Sequence, residues 1–438
     1  MHKYRSAVRR MTRFLAALAV SLGLAGCLAN AQTSPLSVVP PGGAAEFKPT
    51  YFGMHIHEAT TFGHWPPVTF GAWRLWDARV QWPELEPAKG KWQFELLDAF
   101  VARAQGYKVE LLLPLGRTPA WASARPNEPS AYGPGQASEP RDLQDWRTYV
   151  RAVASRYRGR IAAYEIWNEV TEPMFWSGST EKLVELTRIA REELKAIDPD
   201  AILVAPSSVG MDRRTASVRK FLDSGGAGLV DVVSYHFYHG PHPPEAHLAV
   251  MQDMRAQLAR AGFGKTPLWN TESGYWIEPP FPVPNLNWNK DELESRLSEG
   301  KAADLVVRDL VLARALGFER FYWYAWDNKK MGLIEPSDLS IRRAGIAFGE
   351  AASLLANAVL RRCDRDASGV WACSLSTSRS TDAYVLWVDP ASRQQASRWM
   401  APADGAVSAF DGAQRSPLSK GQLLELGARA LLFEAGAR

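Results

Sequence analysis

Two stretches of this chain end alike. One reads Ala163-Tyr164-Glu165-Ile166-Trp167-Asn168-Glu169 and the other Leu268-Trp269-Asn270-Thr271-Glu272-Ser273-Gly274, and both run from apolar residues into a glutamate. Two carboxyls about 5–5.5 Å apart can break a glycosidic bond with retention of configuration. One of them, neutral, protonates the leaving oxygen, while the other, ionised, attacks the anomeric carbon. Like-charge proximity and partial burial push the pKa values of such a pair apart and allow that division. A single glutamate at a strand end is more often a rim salt bridge. An Asn-Glu pair after one aromatic-flanked run, with Trp-Asn-Thr-Glu after another, is harder to explain in that way.

Such a pair meets only if a scaffold brings the two segments to one mouth. Eight apolar runs, at 51–57, 72–76, 108–115, 161–167, 201–205, 230–237, 267–271 and 318–326, alternate with helical patterns such as 143–157, 183–197, 291–316 and 344–360. That alternation predicts βα units on a parallel sheet. Eight in succession close most naturally into a (β/α)₈ TIM barrel, whose strands carry functional groups at their carboxyl ends. The glutamates then stand after the fourth and seventh strands. A doubly wound open sheet is the alternative, but no Gly-x-Gly-x-x-Gly follows the first strand. After residue 360 the helical pattern gives way to short strands at 370–375, 383–388, 406–410, 422–425 and 430–434, with Asp404-Gly405 and Asp411-Gly412 as hairpin turns. The expected layout is α/β: a barrel over 49–358 and a small C-terminal all-β, sandwich-like domain over 359–438.

Glu165-Ile166-Trp167-Asn168-Glu169 and Thr271-Glu272-Ser273-Gly274 resemble the strand-four and strand-seven motifs of the retaining barrel glycoside hydrolases of clan A. The resemblance covers about residues 51–358. With the small β domain, the export signal and the loop at Pro119-Ala120-Trp121, it is nearest to family 39. It implies Glu169 as general acid/base and Glu272 as nucleophile in a double displacement on a polysaccharide, and it points to a mannose-rich exopolysaccharide. It further implies that His236 and Tyr238 lie near the nucleophile, with Tyr238 donating to Glu272. A satisfied core histidine and a packed tyrosine are the plainer account of those two.

Other residues would support such a site. Asn168 would bond the sugar 2-hydroxyl, though asparagine is also a common turn residue. Arg74, near the end of the second strand, could keep Glu272 ionised, or could pair with Asp77 or Glu165. Trp326, after the eighth strand, is the expected floor for a sugar ring, and Trp121 is a candidate wall. His57, with His55, could bind hydroxyls, although a rim histidine is more often structural. Of 17 tryptophans, Trp65, Trp76, Trp82, Trp176, Trp276 and Trp288 also sit at strand ends or in loops, where flat faces suit saccharides. Trp146 and Trp323 read as core. The proline-rich loop 275–291 reads as a wall beside Glu272. His236, His239 and His242 lie on a turn rather than a helix, so no metal site is assigned, and no cofactor.

The N-terminus carries five basic residues (Lys3, Arg5, Arg9, Arg10, Arg13) before an apolar run at 14–25, too short to span a bilayer. Residues 1–26 read as an export signal. Leu24-Ala25-Gly26-Cys27 resembles a lipobox with Cys27 lipidated, and cleavage after Ala31 is the alternative. Residues 27–48 read as a linker. Without residues 1–26 the chain keeps 46 basic against 47 acidic residues, so the formal +4 becomes about −1. That balance argues against a nucleic-acid partner. Cys363 and Cys373 fit a hairpin disulfide in an oxidising compartment, two buried thiols being the alternative. The expected product is a periplasmic, membrane-tethered monomer. A catalytically silent saccharide-binding lipoprotein and a transglycosidase are the competing functions.

Overall fold

The structure is a computed structural model and describes residues 35–210, 215–280, 283, 286–392 and 396–437. The export segment, Cys27 and part of the proline-rich loop (Phe281, Pro282, Pro284) lie outside the described residues. Two short strands come first, β1 (Leu36–Val38) and β2 (Ala45–Glu46). Eight strands then alternate with helices: β3 (Phe52–His55), β4 (Ala72–Arg74), β5 (Glu110–Leu115), β6 (Ala163–Ile166), β7 (Ile202–Val204), β8 (Val233–His236), β9 (Leu268–Ser273) and β10 (Phe318–Trp323). They pair in the order β7-β6-β5-β4-β3-β10-β9-β8. Parallel bridges Val204↔Val232 and Val209↔His236 bring the two ends together, so the sheet is a nearly closed parallel barrel.

The barrel is held by apolar surface on both faces of its sheet, as a parallel sheet requires. Outward residues meet the helices; the Trp73 ring, for example, packs 5.0 Å from Phe100. Inward residues Ala72, Leu112, Ala163, Val204, Val232, Trp269 and Tyr322 form a separate buried cluster. Gly53 belongs to that interior, because a Cβ there would lie 2.5 Å from the Tyr322 ring. Side chains alternate along a strand. Two residues beyond Gly53, Ala72 and Ala163 the inward positions are therefore His55, Arg74 and Glu165, all fully buried. A polar layer thus rests on the apolar plug.

Helix boundaries follow their caps. Asp142 accepts from Gln144 N at 2.9 Å and opens the helix Leu143–Tyr157. Ser179 opens Thr180–Ile197, three residues ahead of the apolar pattern. The single helix expected over 291–316 is two, Lys290–Ser295 and Glu299–Ala315, because Asn289 and Ser298 each cap a separate start.

The C-terminal part has β11 (Val359–Arg365), β12 (Val370–Ser376), β13 (Ala383–Val388), β14 (Ser397–Met400), β15 (Gly405–Ala409), β16 (Ser416–Leu418), β17 (Leu423–Leu426) and β18 (Leu431–Ala435). A large sheet runs β1-β11-β12-β13-β18-β15-β16, and a smaller pair is β14-β17. Four expectations change here. Residues 36–46 do not remain linker: β1 and β2 both pair with β11 and cover its edge. Their Pro- and Gly-rich surroundings hid two strands too short to show periodicity. The eighth helix stops at Leu355, so 359–365 is strand. Asp411-Gly412 does turn the β15–β16 hairpin, but Asp404-Gly405 leads from β14 into β15, which lie in different sheets. Finally, barrel and β strands pack as one compact unit, Thr33–Arg438. Arg308 on the helix Glu299–Ala315 pairs with Glu245 at 2.6 Å, and Glu245 accepts from Trp387 Nε1 at 2.6 Å; Arg308 and Trp387 are buried and the Glu245 side chain is almost wholly covered.

Cys363 and Cys373 face each other across the β11–β12 ladder and are disulfide-bonded. Closing so short a loop is worth about 3 kcal/mol on loop-entropy grounds.

Candidate active site

At the mouth of the barrel Arg74 is the hub. It donates from Nε to Glu165 Oε2 (2.7 Å), from Nη1 to Glu272 Oε2 (2.9 Å) and from Nη2 to Asn168 Oδ1 (2.7 Å). Of the three partners expected for Arg74, Glu165 and Glu272 are held together and Asp77 is not. Tyr238 donates its hydroxyl to Glu272 Oε1 at 2.6 Å. His236 lies nearer the other carboxyl than was expected: its Nδ1 is 2.9 Å from Glu169 Oε1 and 4.0 Å from Glu272 Oε2. A carboxylate oxygen of Glu169, one of Glu272 and a ring nitrogen of His236 all lie within 4.8 Å of one another.

Local backbone devices aim these groups. Along β9, Tyr235 of β8 pairs with Asn270 and His236 with Glu272, so Thr271 is an extra residue in the ladder. The β10 side slips at the same place, Phe321 pairing with Asn270 and Trp323 with Ser273. A bulge of this kind breaks the alternation of faces. It lets the neighbours Thr271 and Glu272 both point into the mouth, Thr271 to Glu165 and His236, Glu272 to Arg74. After β6, Trp167 (φ 59°) and Glu169 (φ 45°) take left-handed conformations that cost non-glycine residues about 1–3 kcal/mol each. Trp167 holds that turn: it is fully buried, its Nε1 donates to Phe175 O at 2.6 Å, and its ring packs on Trp176 at 4.6 Å.

The hydrogen-bond network also assigns a proton. Thr271 Oγ1 donates to Glu165 Oε1 at 2.9 Å, so toward His236 Nε2 (3.1 Å) the hydroxyl can only accept. Burial lowers His236 to about 4, the Arg74 charge adding to the effect against Glu272 and Glu165. The ring is neutral at pH 7, with its single N–H on Nε2. Nδ1 is then a bare acceptor, and the proton in its 2.9 Å contact belongs to the Glu169 carboxyl. Glu272 is in the opposite position, since both its oxygens already accept hydrogen bonds. Burial lifts Glu272 from 4.5 to about 7, and the charge of Glu169 adds to this, while His236, Arg74 and Tyr238 draw it down. With the proton on Glu169 its contribution disappears and Glu272 falls below that value. The contacts suit an arrangement in which a proton shared by the pair sits on the Glu169 side, against His236 Nδ1.

The same three ligand atoms could be read as a cation site. The fully buried Arg74 guanidinium, bonded to Glu272, opposes that by repulsion in a low-dielectric setting.

Other expected residues fall elsewhere. Trp326 is wholly buried, so it cannot be an open floor, and its Nε1 has no hydrogen-bond partner among the described residues. Trp121 packs against Trp82 and donates to Glu86 O at 2.9 Å, away from the carboxyls. His57 is held by Asp327, which accepts from the His57 backbone N at 2.9 Å, while its ring lies 5.2 Å from Tyr324. Trp82 and Trp176 are buried in the core, as are Trp146 and Trp323, while Trp76, also buried, lies 5.9 Å from the Arg74 guanidinium and 5.6 Å from the Tyr132 ring. Trp65 stacks on Tyr107 at 4.5 Å. Rings at strand ends were taken by helices and loops that cover them.

Sequence reasoning missed the role of Thr271 and a clasp in which Tyr132 and Tyr324 both donate to Asp77 at 2.6 Å. Asp77, Tyr132 and Tyr324 come from three different loops, and no spacing announces such a contact. Thr271 lay inside the quoted motif, but strict alternation turned it away from the mouth.

No family model matches the chain. Over 233 residues it is 24% identical to a β-xylosidase of Geobacillus stearothermophilus, which covers 48% of this chain and 46% of that one. The chain spans less than half the length of the curated relatives it matches. Among solved structures, a monomeric β-xylosidase from Caulobacter crescentus superposes with a TM-score of 0.60 at 15% identity, over 91% of this chain and 99% of that one. The GH39 enzyme from Xanthomonas axonopodis pv. citri gives 0.58 at 14%, over 94% and 100%. At these identities the likeness is one of fold. The chain is a (β/α)₈ barrel with a small antiparallel β part, of the architecture those glycosidases use.

Proposed function

We propose that this protein is a retaining glycoside hydrolase that cleaves β-glycosidic bonds of a polysaccharide by double displacement. The observation that carries the reading is the asymmetry of the carboxyl pair. Glu272 is held as an anion by Arg74 and Tyr238, while Glu169 presents a proton through its contact with His236. In the first step Glu272 attacks the anomeric carbon and the Glu169 proton passes to the departing oxygen. In the second, Glu169 takes a proton from water, whose oxygen displaces Glu272 and frees the sugar. Asn168, whose Oδ1 is occupied by Arg74, offers its Nδ2 to the 2-hydroxyl. The test is ¹H NMR of the first product from a β-glycoside. The β anomer must appear before mutarotation, and an α anomer formed first would refute the double displacement.

The family resemblance extends to an endoglycosidase encoded with the biofilm exopolysaccharide Psl, and so to a mannose-rich polymer made by the same cell. We further propose that the protein is exported and tethered as a monomer through a lipid on Cys27. Among the described residues no helix is long and apolar enough to cross a membrane. Mass spectrometry of the N-terminal peptide from membranes is expected to find Cys27 diacylated after loss of residues 1–26; an unmodified N-terminus after Ala31 would replace the tether with simple secretion.

A further inference from the structure

Beside the carboxyl pair, Tyr238, Gly240, Gly274, Trp276 and Met331 line a pocket of about 300 Å³. It adjoins Glu272 directly, because Tyr238 bonds Glu272 Oε1 and Gly274 lies two residues further along the chain. The shape depends on Gly274: a Cβ there would stand 2.6 Å from Tyr324 O and 3.1 Å from the Met331 methyl. Glycine is what lets Met331 close the wall. Among the described residues that line it, no side chain is charged. The Tyr238 hydroxyl is committed to Glu272, a thioether is a weak acceptor, and Trp276 presents an aromatic ring. A hydroxyl carried into this slot would leave water without finding a good side-chain partner.

The connectivity of a pyranose ring says which part of the sugar arrives there. An anomeric carbon has two ring neighbours, C2 and the ring oxygen, with C5 beyond the oxygen. Asn168 serves the 2-hydroxyl and hangs on the same Arg74 that holds Glu272 Oε2, so C2 lies on that side. The ring oxygen and C5 then fall on the Oε1 side, where Tyr238 and the slot stand. We propose that the slot receives the C5 substituent of the unit attacked by Glu272 and selects sugars with no hydroxyl there, pentopyranoses and 6-deoxyhexoses over hexoses. This rests on the hydrolase reading above. Within a hexose-rich heteropolymer it directs cleavage to the units that lack a 6-hydroxyl.

The experiment compares kcat/KM for matched 4-nitrophenyl β-glycosides that differ only at C6: xyloside against glucoside, and D-fucoside against galactoside. The unit lacking the hydroxyl should be favoured by about ten- to a hundredfold in both pairs. Met331→Gln, which adds a donor and an acceptor to the wall, should bring both ratios to within about threefold. Ratios near one, or reversed, in the parent protein overturn the proposal. If no glycoside is turned over, the hydrolase reading fails, and calorimetry still decides the slot. About tenfold tighter binding of the iminosugar lacking the hydroxymethyl group than of 1-deoxynojirimycin upholds it, and equal binding overturns it.

Discussion

Glu272→Gln loses about 10⁴-fold or more of kcat on any glycoside the parent hydrolyses, because an amide cannot form the covalent intermediate. The fold survives, and above neutral pH the variant is the more stable protein. The sign follows from burial. Burial raises the Glu272 carboxyl above the 4.5 it has in the open chain, to a value under about 7 once Glu169 holds the proton. A group raised in this way favours folding below its unfolded value and loses that contribution as pH climbs through the folded one. As pH climbs above 4.5 the parent therefore gives up stability that the amide keeps, less than the about 3 kcal/mol that the whole shift to about 7 would carry. Urea midpoints of both proteins at pH 4 and pH 8, beside their turnover, provide the measurement. Turnover within tenfold of the parent would remove Glu272 from the nucleophile's place. Loss of cooperative unfolding would make it a structural residue, the partner that Arg74 cannot lose.

Glu169→Ala divides substrates by their leaving groups. Positioned acid catalysis contributes about 10²–10⁴-fold, and this variant is expected to lose that much kcat/KM on natural linkages, whose alkoxides need a proton. On a 2,4-dinitrophenyl glycoside, whose leaving group needs none, the first step falls by less than about tenfold. The second step then lacks its base, so the glycosyl-enzyme accumulates as a burst. Azide, which needs no deprotonation, should release it as the β-glycosyl azide. The basic limb of the kcat/KM profile should also vanish, since it reports loss of the Glu169 proton that the His236 contact orients. An equal loss on both kinds of leaving group, with no azide product, would leave Glu169 as a binding residue and open the proton donor's place to another group.

Several features were readable because they are short-range. Period-two alternation within β4, β6 and β8 put Arg74, Glu165 and His236 on the inward face, and buried parallel strands announce themselves as apolar runs. Eight such runs between helical patterns imply a barrel, and a barrel puts the ends of β6 and β9 at one mouth. The contact between the cysteines follows as locally, from ten residues of hairpin.

The remaining features depended on pairings that no local pattern encodes. A one-residue slip against both β8 and β10 turns Thr271 inward beside Glu272. Residues 36–46 become strand only because β11, more than three hundred residues later, has an edge to cover. Trp326 is a floor or a core residue according to which loops lie over it, and here it is wholly covered. The glutamates and their strands were set by the sequence itself, because side-chain alternation and apolar burial act over a few residues. Which of the two carries the proton was decided by the tertiary structure, through a chain of contacts from Glu165 by Thr271 and His236 to Glu169 that joins β6, β9 and β8. Hydrogen bonds have direction, and that direction exists only once all three strands stand side by side.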